Sequence, residues 1–216
     1  MKNNQRCFVA FIIIWGLFVS PIFAQKEGFK KVENEASFRQ KMEETTLATN
    51  SIKSEFVQEK QLSFMEEPII SEGQFYFKKE QKIRWEYQQP FSYIVILNGS
   101  ELLIDDEGHT NEIDLKGNKT FQEINATINN SLQGNVWANA KDFEPILLES
   151  EALYLIQLLP QTAQMKEYFT KIEVYFNKKN YQLEQVILFE NGGDFTKIAF
   201  KNNVINGEVK EALFRL

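Results

Sequence analysis

Gly73-Gln74-Phe75-Tyr76-Phe77-Lys78-Lys79-Glu80-Gln81-Lys82-Ile83-Arg84-Trp85-Glu86-Tyr87-Gln88-Gln89-Pro90 is the stretch that decides the fold. Gly73, Phe75 and Phe77 alternate with Gln74, Tyr76 and Lys78. Ile83, Trp85 and Tyr87 alternate with Lys82, Arg84 and Glu86. Successive side chains of a strand point to opposite faces, so each run is a strand with one apolar face. Lys79-Glu80-Gln81 between them is a loop of hairpin length. The two runs therefore put Phe75, Phe77, Ile83, Trp85 and Tyr87 on one aromatic face and turn Arg84 to the other.

The same pattern extends outward. Upstream, Ile52, Ser54, Phe56 and Gln58 alternate with Lys53, Glu55, Val57 and Glu59, a strand with one dry face. Before it, Ser37-Phe38-Arg39-Gln40 has capping-box spacing and predicts a helix from Ser37 to Ala48. Downstream, Tyr93 to Leu97 is a strand closed by Asn98-Gly99, a strong two-residue hairpin signal. Glu101 to Asp105 returns, and Glu107-Gly108 turns the chain again toward Ile113. Thr120-Phe121-Gln122-Glu123 is a second capping box, followed by Ile124, Ile128 and Leu132 on one helical stripe and a stop at Gly134. Then come Phe143 to Leu148, a strand expected to be broken by Pro145, and Tyr154 to Leu159, with a helical turn at Met165 to Tyr168. Ile172 to Phe176 alternates. Tyr181 to Glu190 is a long strand with a bulge expected near Gln185-Val186, and Asn191-Gly192-Gly193 turns it into Phe195 to Phe200. The total is about ten strands, mostly antiparallel, with two amphipathic helices. Two helices are too few to cover ten strands densely. The expected fold is mainly β with helices (α+β): a curved sheet with a partly filled interior, closed by helices.

The whole chain has 216 residues, with 24 Lys+Arg against 30 Asp+Glu. Residues 1–24 read as a secretory signal: Lys2 and Arg6, an apolar run from Phe8 to Val19, the breaker Pro21, and Ala24 before Gln25. Its removal leaves residues 25–216 as one domain, with 22 cations against 30 acids and a net charge of −8. Cys7 leaves with the signal, which excludes disulfides, thiolate chemistry and Cys-based metal sites from the mature chain. The acidic balance argues against nucleic acid as a partner. Motifs for catalysis are missing too: the sequence has no Gly-x-Ser-x-Gly elbow, phosphate loop or His-Glu-x-x-His. The one imidazole, His109, sits at an expected hairpin tip, where an exposed turn histidine outweighs a general base. Asp105-Asp106-Glu107-Gly108 begins like a calcium loop, but the alternating oxygen ligands stop at Gly108. No catalytic residue, metal site or cofactor is expected. Fifteen Phe remain after the signal, together with Trp85 and Trp137. Singly each is best read as core; as a set they suit the wall of an apolar cavity.

Gly73 to Lys79, Ile83 to Tyr87 and Gln89-Pro90 together resemble the periplasmic lipoprotein carriers of the LolA family. Phe56-Val57-Gln58-Glu59-Lys60 is similar to that family's first-strand signature. Glu190 to Asp194, followed by Thr196, Ile198, Phe200, Asn206 and Phe214, is similar to its C-terminal part. The resemblance implies an unclosed antiparallel β-barrel with a helical lid over a hydrophobic cavity. It also implies a monomeric periplasmic carrier, not an enzyme, whose cavity takes up the acyl chains of lipoproteins. Such a carrier receives its cargo from an inner-membrane lipoprotein-releasing transporter and passes it to an outer-membrane acceptor. The sheet-side lining is expected at Phe56, Phe75, Phe77, Ile83, Trp85, Tyr87, Tyr93, Val95 and Ile104, and the lid at Phe121, Ile124 and Ile128. In the family an Arg at the position of Lys79 hydrogen-bonds toward the lid; a Lys offers a point charge without the planar fork. Two rivals of the binding class stay open, a glycolipid or free-lipid carrier and a sensor domain on the same half-barrel. A rival of another class is a secreted hydrolase using His109.

Overall fold

A computed structural model of the chain describes residues 26–80, 82–114 and 142–215. Its strands are β1 (Lys30–Lys31), β2 (Ser51–Gln61), β3 (Ile69–Lys78), β4 (Lys82–Gln89), β5 (Tyr93–Asn98), β6 (Glu101–Asp106), β7 (His109–Asp114), β8 (Phe143–Glu149), β9 (Leu153–Pro160), β10 (Phe169–Asn177), β11 (Leu183–Glu190) and β12 (Phe195–Ile205). The helices are α1 (Glu35–Ala48), α2 (Ala163–Tyr168) and a 3₁₀ turn at Glu211–Phe214.

The strands form one 12-stranded sheet in the order β1-β8-β9-β10-β11-β12-β2-β3-β4-β5-β6-β7. Every pairing is antiparallel. Two meanders, β2–β7 and β8–β12, are joined where β12 pairs with β2 through Phe200↔Phe56. The edge strands β1 and β7 do not pair with each other, so the barrel is unclosed, as expected. One continuous core covers the inner face, from Leu102 on β6 to Phe143 and Leu147 on β8, and takes Phe38 and Met42 from α1. Among the described residues no helix is long and apolar enough to cross a membrane.

Several local readings are corrected. Helix α1 begins at Glu35 because Asn34, not Ser37, caps it: Asn34 Oδ1 accepts the Ser37 amide at 2.9 Å. The first hairpin loop after β5 is Gly99-Ser100, since Asn98 still pairs with Glu101. Gly99 supplies the positive φ of 62° that the turn requires. The Glu107-Gly108 turn is as read, with both residues at positive φ. Pro145 does not break β8: it pairs with Leu158 of β9, while β1 flanks β8 only at Glu149 and Leu148. A proline missing its N–H is tolerated where no strand lies on that side. The irregularity on β11 falls at Glu184, between the rungs Tyr175↔Gln185 and Phe176↔Leu183. Tyr181 sits at φ 57° in the turn before that strand, which starts at Leu183. The expected signal (1–24) and the expected helix from Thr120 lie outside the described residues.

Candidate functional site

Cross-strand registers arrange the inner face of β2–β6 in three rows. The first row is Ile52, Phe77, Ile83, Leu97 and Leu102. The second is Ser54, Phe75, Trp85, Val95 and Ile104; the third is Phe56, Gly73, Tyr87 and Tyr93, extended by Phe200 on β12. All nine sheet residues expected to line a cavity fall in these rows, so the structure brings them onto one face. Their burial differs. Phe56, Phe75, Phe77 and Ile83 are buried in the core, whereas Trp85, Tyr87, Tyr93, Val95 and Ile104 are only partly buried. The first row lies at the end where α1 runs into β2 and is buried from Phe77 to Leu102, with Ile52 partly exposed; on β4–β6 the second and third rows are partly open.

The rings of this face touch in a continuous chain. Trp85 lies 5.1 Å from Phe56 and 5.0 Å from Phe75 by ring centroids, and Tyr87 lies 5.1 Å from Phe56. Edge-on and tilted pairs of this kind are the preferred aromatic contacts. Phe200 joins this face beyond the residues expected there, its ring 5.5 Å from Phe75 and 6.0 Å from Trp85. Its alternation with Ile198 was legible, but the long-range β12·β2 pairing that delivers it was not. Gly73 makes the packing possible: a Cβ there would lie 1.9 Å from the Glu86 carbonyl oxygen and 3.0 Å from Phe56 Cε1.

Polar groups on this face are few. Tyr87 donates its hydroxyl to Gln58 Oε1 at 3.0 Å. Burial, helped by Tyr93, pushes the Tyr87 phenol up to about 12, so it stays a neutral donor at physiological pH. Ser54 Oγ is engaged by the Lys201 carbonyl and Asn203. Arg84, as expected, points to the outer face, where it binds Glu86 and the Leu213 carbonyl.

Lys79 is an exposed residue whose Nζ donates to the Leu47 carbonyl oxygen at 2.7 Å, in the last turn of α1. That turn has no basic residue of its own, so Lys79 brings the favourable charge from across space. Asn206 Nδ2 donates to the Ala48 carbonyl beside it. The expected lid residues Phe121, Ile124 and Ile128 lie outside the described residues. His109 Nδ1 is 3.2 Å from the Asp106 carbonyl oxygen, in the exposed β6–β7 turn. Asp105 Oδ1 accepts the Gly108 amide, which commits that carboxylate to the turn. Among the described residues no group of three or more His, Cys, Asp or Glu could hold a metal ion. The arrangement is suited to contact with an apolar surface.

The family model described as outer membrane lipoprotein carrier protein LolA matches residues 48–216. No curated protein sequence matches. Three solved structures to which the chain is similar span nearly their whole length. One is a LolA superfamily protein from Nitrosomonas europaea, at 11% identity over 83% of this chain and 96% of that one, with a TM-score of 0.44. A second is a putative outer membrane lipoprotein-sorting protein domain from Vibrio parahaemolyticus, at 10% identity over 83% and 94%, TM-score 0.42. The third is the lipoprotein LppX from Mycobacterium tuberculosis, at 8% identity over 82% and 99%, TM-score 0.45.

Proposed function

The chain belongs to the LolA family of outer membrane lipoprotein carrier proteins, and we propose that it binds the acyl chains of lipoproteins against the inner aromatic face and carries them between membranes. The observation that carries this reading is the gradient on that face. Phe56, Phe75 and Phe77 are sealed, while Trp85, Tyr87, Tyr93, Val95 and Ile104 keep partly exposed apolar surface beside them. Apolar area left on the inner side of a sheet with so few polar groups favours a hydrocarbon ligand over water. Trp85, Tyr87, Tyr93, Val95 and Ile104 are the lining in contact with cargo. Phe56, Phe75, Phe77 and Ile83 are the floor that holds it. Phe121, Ile124 and Ile128 form the lid, and Lys79 ties the α1 end of the mouth.

In this reading residues 1–24 are a cleaved signal, residues 25–216 are one periplasmic domain that works as a monomer, and no reaction is catalysed. The partners are an inner-membrane transporter that releases lipoproteins and an outer-membrane acceptor. The test is mass spectrometry of lipids extracted from protein purified out of the periplasm. Acylated peptides should co-purify with wild-type protein and be lost from Val95→Asp. A protein that emerges lipid-free and takes up no fluorescent lipopeptide would overturn the reading. A free glycolipid in place of acylated peptide would move the assignment to a lipid carrier.

A further inference from the structure

Among the described residues, Trp85 Nε1 is the only buried side-chain nitrogen or oxygen with no hydrogen-bond partner. The residue as a whole is only partly buried, so part of the indole is open while its N–H is sealed from water. The rings of Phe56, Phe75 and Phe200, packed on the indole at centroid distances of 5.1, 5.0 and 6.0 Å, carry no lone pair. Two polar side chains of the same face of β2 are already engaged. Ser54 Oγ is held by the Lys201 carbonyl and Asn203, and Gln58 Oε1 accepts from Tyr87. A phenylalanine would fill this position without leaving a donor stranded. An unpaired buried donor is destabilising, and an indole N–H normally finds an acceptor.

From this geometry we infer that Trp85 Nε1–H is the polar anchor of the ligand site, donating to the ester or amide carbonyl oxygen that links an acyl chain to its cargo. This rests on the acyl-binding reading above and adds to it the part of the ligand that is recognised. A hydrocarbon alone satisfies the surface of Val95 and Ile104 but leaves the N–H unpaired. A carbonyl that enters beside the open part of the indole satisfies it once the ring tilts to bring the N–H to the surface, with its chain lying on the neighbouring apolar rows. The site should therefore read the linkage as well as the chain. Ester-linked and amide-linked lipids are preferred, and ether-linked lipids of the same length are not.

The experiment compares two water-soluble probes, dihexanoyl-glycerophosphocholine with ester linkages and dihexyl-glycerophosphocholine with ether linkages. Affinities for both are measured by calorimetry, below their micelle concentrations, on wild-type protein and on Trp85→Phe. One recovered neutral hydrogen bond predicts that wild-type protein prefers ester to ether by about five- to tenfold. In Trp85→Phe, which keeps the ring and loses the donor, the preference should collapse to about one. Equal wild-type affinity for the two probes overturns the inference while leaving the acyl-binding reading standing, and needs no variant to fold. So does an ester preference that survives in Trp85→Phe. Binding of neither probe by the wild type overturns the inference and the acyl-binding reading together.

Discussion

Replacing Gly73 with alanine should unfold the protein at a markedly lower temperature, although the same change in an unconstrained strand is mildly stabilising. Glycine costs a strand about 0.5–1 kcal/mol through the freedom it has when unfolded, and alanine removes that penalty. Gly73 has an ordinary strand φ, so no backbone strain opposes alanine. What opposes it is space. The new Cβ would stand 1.9 Å from the Glu86 carbonyl oxygen and 2.8 Å from its carbon, both main-chain atoms of β4. Ordinary contact is about 3.5 Å, so β3 and β4 must separate by more than an ångström at this rung. Phe56 Cε1, 3.0 Å away on the other side, blocks a shift toward β2. Overpacking of this kind costs about 1–3 kcal/mol, and a lost ladder hydrogen bond adds about 1 kcal/mol. After the gain from lower unfolded-state entropy, a net loss of about 2–3 kcal/mol remains, or roughly 5–10 °C in Tm for a domain of this size. Thermal unfolding followed by circular dichroism measures it, with the exposed neighbour Glu72→Ala as the control expected to change little. A Gly73→Ala protein as stable as the wild type, or more so, would refute the close approach of the two strands and with it the placement of Phe56 under Tyr87.

Glu173 supplies a pH signature. Burial alone would raise its pKa, but donors from Lys171, Lys26, Tyr175 and Gln157 outweigh that and hold it at about 2, below its ordinary 4.5. A depressed folded-state pKa contributes stability that is whole above about pH 4.5 and fades as pH falls toward 2, here on the order of 3 kcal/mol. Glu173→Gln should lower Tm at pH 7 and flatten the loss of Tm between pH 5 and pH 3; parallel pH profiles would count against it. Lys79→Met removes the donor to Leu47 and should speed amide exchange in the last turn of α1 with at most ~1 kcal/mol of global cost, while Lys79→Arg should restore protection. Phe77→Ala, in the sealed row, should cost about 3–5 kcal/mol in urea titration. Val95→Ala, in the open row, should cost less than about 1.5 kcal/mol yet weaken lipopeptide binding several-fold; the reverse ranking would exchange floor and lining.

The stretch from Gly73 to Pro90 carried most of what could be read. Period-two alternation placed Phe75, Phe77, Ile83, Trp85 and Tyr87 on one face, and the registers Phe75↔Trp85 and Phe77↔Ile83 confirm that face. Hairpin neighbours are legible because their pairing is local. Phe200 is not, since its contact with Phe56 joins the two meanders across most of the chain. The α1 cap is not legible either: Asn34 and Ser37 both offer capping chemistry, and only the backbone decides which side chain meets a free amide. The depth of burial within the face was equally hidden: Phe77 and Val95 look alike in sequence, and their difference arises from where α1 and its connection to β2 close one end.

The outer face explains why the opening lies where it does. In β5, Tyr93-Ile94-Val95-Ile96-Leu97 is an unbroken apolar run rather than an alternation. Such runs belong to strands covered on both sides. Val95 and Leu97 join the inner core, while Ile96 joins an outer cluster with Val209 and Phe214 of the C-terminal segment. Lys78 and Lys82 hold that segment through Glu211. At the other end of the sheet Phe29 and Lys26 lie on Tyr175 and Glu173, so the N-terminal segment seals the outer face of β10. Lys26 and Phe29, like Val209 and Phe214, are therefore spent on the outside of the sheet. Inside, α1 covers only its own end, with Phe38 against Tyr154 at 4.4 Å. On the same face Trp85, Val95 and Ile104 stay only partly buried. A sheet that keeps partly exposed apolar side chains on its inner face beside a sealed core can offer them to an apolar ligand without exposing that core. Truncation after Asn206 tests this division: it should strip the cover from Ile96 and lower stability, while an inner face that still folds should retain its preference for acylated cargo. Loss of that preference in a folded truncation would mean that the two faces are not independent.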